Sequence, residues 1–341
     1  MIGIIANPAS GKDIRRLVAQ GTVFDNMEKV NIIQRILVVL HYGGVKDIYM
    51  MPDSFHIMDK ALCFLERNQK VQVDVKELDF DLNFDQSDSI KAAALLREMK
   101  ASCIITLGGD GTNRAVAKGS GDVPLLPLST GTNNVFPAML EGSVAGLAAM
   151  VADKDVTREC LALRQCKRIN IYKNDELVDI ALIDAVITDD MFVGSRALWE
   201  TDSIKEIFVT AAKPDSIGIS AIAGSFRPMS EAEPGGLYVK IGGGSFRTWA
   251  AIAPGVVRPV PIREFRETDY DTRVRVETPC GMIALDGERE VVFNKNDKVE
   301  IEFTDKGPRV IDVQATLNAA AKKGIFVDKE VATETANCPG V

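Results

Sequence analysis

The chain changes its hydrophobic rhythm part-way along, and that change constrains its fold more than any other feature. From the start to about residue 150, short β-branched runs alternate with stretches of helical apolar spacing, the pattern of parallel βαβ units. "GIIAN", "DIYMMP", "QVDVKEL", "CIITL" and "VPLLPL" read as five strands, with "FHIMDKALCFLE" and "SIKAAALLREMK" as helices between them. After about residue 160 the period falls to two, in "RINIYK", "LVDIALIDAVI", "GLYVKIG", "RVRVE", "EVVF" and "KVEIEF". A helical piece is expected near 195–213, "GGGSF" reads as a loop or bulge, and "IDVQATLNAAAKKG" reads as a terminal helix. The expected fold class is α/β plus β. It comprises a doubly wound α/β domain over 1–155, an antiparallel β domain over 156–310, and a helix and tail over 311–341.

Bulk properties remove several function classes. At 341 residues the chain exceeds what one core usually serves, in keeping with two domains. A net charge of −8 leaves no basic footprint for nucleic acid or an anionic membrane surface, so neither partner is expected. No run approaches the ~20 apolar residues that span a bilayer, and the start lacks a basic segment followed by a long apolar stretch. The six cysteines form no Cys-x-x-Cys pair and fit reduced thiols, giving a cytoplasmic reading. Only His41 and His56 exist, which nearly excludes histidine-based triads and multi-histidine zinc sites.

In a doubly wound sheet, ligands bind outside the carboxyl ends of the strands, and here the loops leaving strands one, four and five are rich in Gly, Asn, Ser or Thr. The first, "NPASGK", is not a Walker A loop, which needs glycine where Ala6 stands and Ser or Thr where Asp13 stands. The second, "GGDGT", is not a dinucleotide fingerprint, because Arg114 occupies the place of the third glycine. What remains is a strand ending in three glycines, with Thr112 at the expected helix N-cap; a helix start of this kind suits phosphate. Asp110 among such donors either supports a tight turn or serves a metal or a nucleophile. The third loop, "PLSTGTNNVF", crowds hydroxyl and amide donors and tips the balance toward function.

The order "NPASG", "GGDGT", "PLSTGTNN" and "LDGE" resembles the superfamily that joins NAD kinases to diacylglycerol and sphingosine kinases. Within it, "STGTNNVFP", "FVGSRALWE" and "IAPGVVRPVPI" are most similar to the acetoin-catabolism protein X branch. The resemblance implies an ATP-dependent kinase with an α/β domain, a β-sandwich domain and an active site between them. It implies ATP and Mg²⁺, a hydroxyl acceptor with NAD as a candidate, and a homo-oligomer. Because the sequence shows no amphipathic helix with a basic face, a soluble acceptor is expected over a lipid, with a nucleotide-binding accessory protein as the other alternative. Carried over by position, Gly108, Gly109, Gly111 and Thr112 would hold phosphates, and Asp110 would be the general base. Asn7, Ser10, Gly11, Thr130, Gly131, Thr132 and Asn133 would complete the ATP pocket. Asp286 and Glu288 would hold Mg²⁺, although Asp-Gly between alternating runs is also a hairpin signal. Where NAD kinases carry an Asn-Glu pair, this chain has Ile183 and Asp184. Asp184 keeps a carboxylate for the acceptor, but isoleucine cannot hydrogen-bond one, which weakens NAD as the substrate.

Overall fold

The computed structural model describes residues 1–11, 24–69, 73–131, 133–154, 157–190 and 201–327. Five parallel strands, β1 (Ile2–Ala6), β2 (Ile48–Met50), β3 (Val75–Glu77), β4 (Cys103–Gly108) and β5 (Leu125–Ser129), lie in the order β3-β2-β1-β4-β5. Helices α1 (Asn26–Tyr42), α2 (Ile57–Phe64) and α5 (Gly142–Asp153) pack on one face, and α3 (Gln86–Glu98) and α4 (Asp110–Ser120) on the other. Alternation along β1 explains why both faces are covered. Ile2 and Ile4 enter the first core while Ile5 enters the second, so each face of the sheet needs a helical layer.

The second half is a sandwich of two antiparallel sheets. One has the order β12-β11-β10-β9-β14-β15, from β9 (Asp184–Thr188), β10 (Ile204–Val209), β11 (Gly236–Ala253), β12 (Val256–Thr268), β14 (Gly281–Leu285) and β15 (Glu288–Phe293). The other is β13 (Arg273–Arg275), β16 (Val299–Thr304), β7 (Arg168–Lys173) and β8 (Glu176–Ala181). Ile169, Ile171, Phe208, Tyr238, Ile283 and Phe303 fill the space between them. Helix α6 (Ser220–Phe226) covers the outer face of the larger sheet.

Two expectations change. The helical piece expected over 195–213 is strand β10 across 204–209, while 191–200 lie outside the described residues. Phe208 faces one core and Ile207 and Val209 the other, so the run is apolar on both sides and carries no clean period. The first sheet also reaches past residue 155. Strand β6 (Leu163–Gln165) and strand β17 (Arg309–Ile311) extend it beyond β5, and α7 (Val313–Lys322) packs beside α5. The chain therefore crosses between the two units twice at one place, where Cys166 N donates to Pro308 O at 3.0 Å and Gly307 N to Cys166 O at 3.1 Å. "GGGSF" is a bulge, with the β11–β12 register shifting between Ile241 and Phe246.

Candidate functional site

Strand order reverses between β1 and β4, and the loops leaving these strands flank the crevice that such a reversal opens. Side chains tie the three loops into one structure. Asn7 Nδ2 donates to Thr112 Oγ1 at 3.0 Å, joining the first loop to the second. Ser10 Oγ lies 3.1 Å from Thr130 Oγ1, joining the first to the third. Thr130 N donates to Gly108 O at 3.3 Å, joining the third to the second. Beneath them, the buried ammonium of Lys29 donates to the carbonyls of Asn7 and Ser10, each at 2.7 Å. A buried cation satisfied by carbonyls fixes the first loop from below.

Helix α4 begins one residue after the strand, with Gly109 as its N-cap in extended backbone, so Thr112 sits inside the first turn rather than at the cap. At Gly109 and Gly111 the absence of a side chain lets Asn134 and Glu288 come close to the backbone. A Cβ on Gly109 would stand 2.8 Å from Asn134 Oδ1, and one on Gly111 2.9 Å from Glu288 Oε1. Gly11 lies at φ +84°, in the left-handed region. Asp110 is neither a solvent-facing turn residue nor an isolated base. Its Oδ1 accepts from Val135 N at 3.0 Å and Phe136 N at 2.8 Å, and its Oδ2 from Val135 N at 3.1 Å. The carboxylate thus clamps the start of α4 to the chain beyond β5. Ser129 Oγ donates to Gly131 O at 2.6 Å and accepts from Asn134 Nδ2 at 2.8 Å, which closes the third loop on itself. Asn133 is half-buried in this loop; Thr132 lies outside the described residues.

The two acids expected as metal ligands have different environments. Asp286 and Gly287 form the hairpin turn between β14 and β15 with φ of +51° and +82°, the backbone of a two-residue type I′ turn. The Asp286 carboxylate is buried, and its Oδ1 accepts from Leu182 N at 3.1 Å, Ile183 N at 2.7 Å and Asp184 N at 3.2 Å. Such an acid does not fit a metal ligand. It holds together the turn where β8 passes into β9, and buried Asp184 takes part through its own backbone. Glu288, by contrast, reaches the start of α4 beside Gly111.

The same helix carries a residue that sequence reasoning passed over. Arg114 has a fully buried guanidinium, bonded to Glu290 at 2.8 Å and Asp179 at 3.2 Å and standing 3.8 Å from Asp286. Burial works against its charge, and Asp286, Asp179 and Glu290 together hold it protonated. For Asp286, burial presses the carboxyl above its usual range, opposed by Arg114 and the three N–H donors. Arg114 and Lys29 could have been singled out as charges set within apolar helical faces, a pattern that needs partners when buried.

Ile183 lines a slot of about 30 Å³ between the two units, room for a water molecule or two. Val135 and Phe136, whose N–H groups hold Asp110, line the same slot, as do Thr210, Ser216 and Ser220. Lys213 and Arg164 both pair with Glu231 at its edge. Burial alone would raise the Glu231 carboxyl, but these two cations hold it below the usual range.

Comparison with known proteins follows this division. Residues 2–156 match the ATP-NAD kinase N-terminal domain, and residues 167–306 match the acetoin catabolism protein X C-terminal domain. Acetoin catabolism protein X of Cupriavidus necator is 38% identical over 332 residues, covering 94% of this chain and 92% of that protein. The chain belongs to the acetoin catabolism protein X family. In this member of the family, the three loops and Asp110 fall within the NAD-kinase-like domain, and Ile183, Asp184 and Glu288 fall within the C-terminal domain. A crystal structure of UDP-GlcNAc 2-epimerase from Neisseria meningitidis bound to UDP-GlcNAc aligns over 44% of this chain and 38% of that one. Its TM-score is 0.24 at 9% identity, too low to carry an argument.

Proposed function

We propose that the protein is an ATP-dependent kinase that transfers the γ-phosphate to a hydroxyl of a soluble acceptor, in connection with acetoin catabolism. The observation that carries this reading is the convergence at the strand-order reversal of three mutually bonded loops, the start of α4, Asp110 and Glu288. Phosphoryl transfer asks a protein for positioning and charge neutralisation more than for covalent chemistry. N–H groups at the start of α4, with the hydroxyls of Ser10, Thr112 and Thr130 nearby, suit phosphate oxygens. Asp110 is fixed beside the slot that Ile183 lines. There it would orient the acceptor hydroxyl and take its proton late, because an alcohol is a far weaker acid than a carboxylic acid.

Magnesium fits this arrangement as an ion carried with the nucleotide. Among the described residues no three Asp, Glu, His or Cys side chains gather into a metal cage, and Mg²⁺ commonly takes one or two carboxylates plus substrate phosphates. Glu288 would hold it, directly or through water. Bound there, the ion would neutralise charge on the phosphate oxygens.

Ile183 favours a second reading, a nucleotide-binding accessory protein that has lost transfer. One experiment separates them: incubation with Mg-ATP and a panel of hydroxylated metabolites including acetoin, NAD and NADH, read as phosphorylated product. The kinase reading expects a product from at least one acceptor, with turnover lowered roughly 10²- to 10⁴-fold by Asp110→Asn. ATP binding without any product would favour the accessory protein.

A further inference from the structure

A groove of about 520 Å³ lies where the chain crosses twice between its two units, within the size range of small-molecule sites. It is at the amino ends of the parallel strands, since Asp122 precedes β5, Arg309 begins β17 and Arg97 lies in the last turn of α3. The glycine loops are at the carboxyl ends. Helix α4 joins the two places, with Asp110 at its first residue and Lys118 in its last turn, roughly 12 Å along the axis at the usual rise per residue.

The lining is cationic on a chain whose net charge is −8. Arg97, Lys118, Arg168, Lys306 and Arg309 face two carboxylates, Asp122 and Asp305. Some of these charges are already engaged. Lys118 pairs with Asp179 at 2.6 Å, Arg168 Nε donates to Asn170 at 2.9 Å, and Arg309 Nη2 donates to the carbonyl of Asp122. Arg97 and Lys306 are in no ion pair among the described residues, and both are exposed. Arg309 Nε is buried with no hydrogen-bond partner in the protein. Guanidinium groups set around a concavity match phosphate oxygens in shape as well as charge.

We propose that this groove is a second anion site, distinct from the glycine loops, that takes a small phosphate-bearing ligand. Arg168 lies on the outgoing crossing and Lys306 and Arg309 on the returning one. An occupant bonded to both crossings fixes one unit relative to the other, at the end of α4 remote from Asp110. The site does not depend on the kinase reading.

Isothermal titration of the full chain with sodium tripolyphosphate, without magnesium and at low salt, tests it. The wild type should bind, and Arg97→Glu with Lys306→Glu should weaken binding at least about tenfold, the scale of one charge-assisted contact. A control of equal charge, Arg247→Glu with Arg258→Glu on the exposed β11–β12 hairpin, should stay within about twofold of wild type. Absence of wild-type binding overturns the proposal. So does equal binding by the groove variant, which would put the anion at the glycine loops, or equal weakening by the control, which would make the effect one of net charge. Should the double variant fail to fold, Lys306→Gln alone, on an exposed turn, should still weaken binding several-fold, and unchanged binding would overturn the proposal.

Discussion

At the scale of single residues, the site turns on where three acids put their oxygens. Asp110 spends its carboxylate on the N–H groups of Val135 and Phe136, Asp286 on the turn at 182–184, and Glu288 reaches the start of α4. The sequence identified all three but could not rank them, because Asp-Gly at 286–287 is both a hairpin turn and part of the "LDGE" motif. The turn argues against Asp286 as a metal ligand. With a left-handed residue at 286, its carboxylate accepts from the backbone at 182–184, while Glu288 lies beside Gly111 at the start of α4. On the kinase reading, Ile183 bears on the acceptor. If the slot opens to admit NAD, an isoleucine wall leaves a polar group unpaired, at a cost of about 1–3 kcal/mol. Wild-type NAD phosphorylation should therefore be weak, and Ile183→Asn should raise kcat/KM for NAD about 5- to 150-fold. Steady-state kinetics on both proteins would check this; strong wild-type activity unchanged by the substitution would show that Ile183 serves the core alone.

Among the elements, α4 links the loops to the sandwich. Its first turn meets all three loops, and its middle carries Arg114 into a pocket of three carboxylates from β8, the β14–β15 turn and β15. Removing one member of a buried ionic cluster leaves the rest uncompensated. Arg114→Met should cost about 3–5 kcal/mol, seen as a lower urea midpoint, whereas a cost under about 1 kcal/mol would mean the three acids reach water or protons without it. The five parallel strands were legible because each is a short, largely apolar run separated from the next by a helical stretch or a turn, and three of them lead into loops rich in Gly, Asn, Ser or Thr. Strand β10 was not, since its two buried faces erase the period. Nor were β6 and β17, three residues each, whose pairing depends on the chain returning about 140 residues later. Lys29 and Arg114 stand out in the sequence only as charges within apolar helical faces; the acids that pair with Arg114 come from 65 to 176 residues away, so the sequence does not identify them.

For the whole molecule, the family resemblance implied a site made by two units, and the proposed function keeps that arrangement. The α/β unit holds the loops, while the sandwich brings Glu288 beside Gly111 and Ile183 to the wall of the slot; Asp184 is buried at the turn that Asp286 holds. Arg114 bonds the units through Glu290 and Asp179, and the double crossing at 165–168 and 306–309 joins them again, with Gln165, Cys166 and Lys167 also lining the Ile183 slot. If the proposed acceptor is nucleotide-sized and enters the slot of about 30 Å³, the units would have to part to admit it. Everything proposed for the chemistry rests on the three loops being the nucleotide site. Hydrogen exchange of the intact protein with and without Mg-ATP measures that directly. Slower exchange at 7–11, 108–113 and 129–135 is the result expected, and protection confined to the β-sandwich, with these loops unchanged, would contradict it.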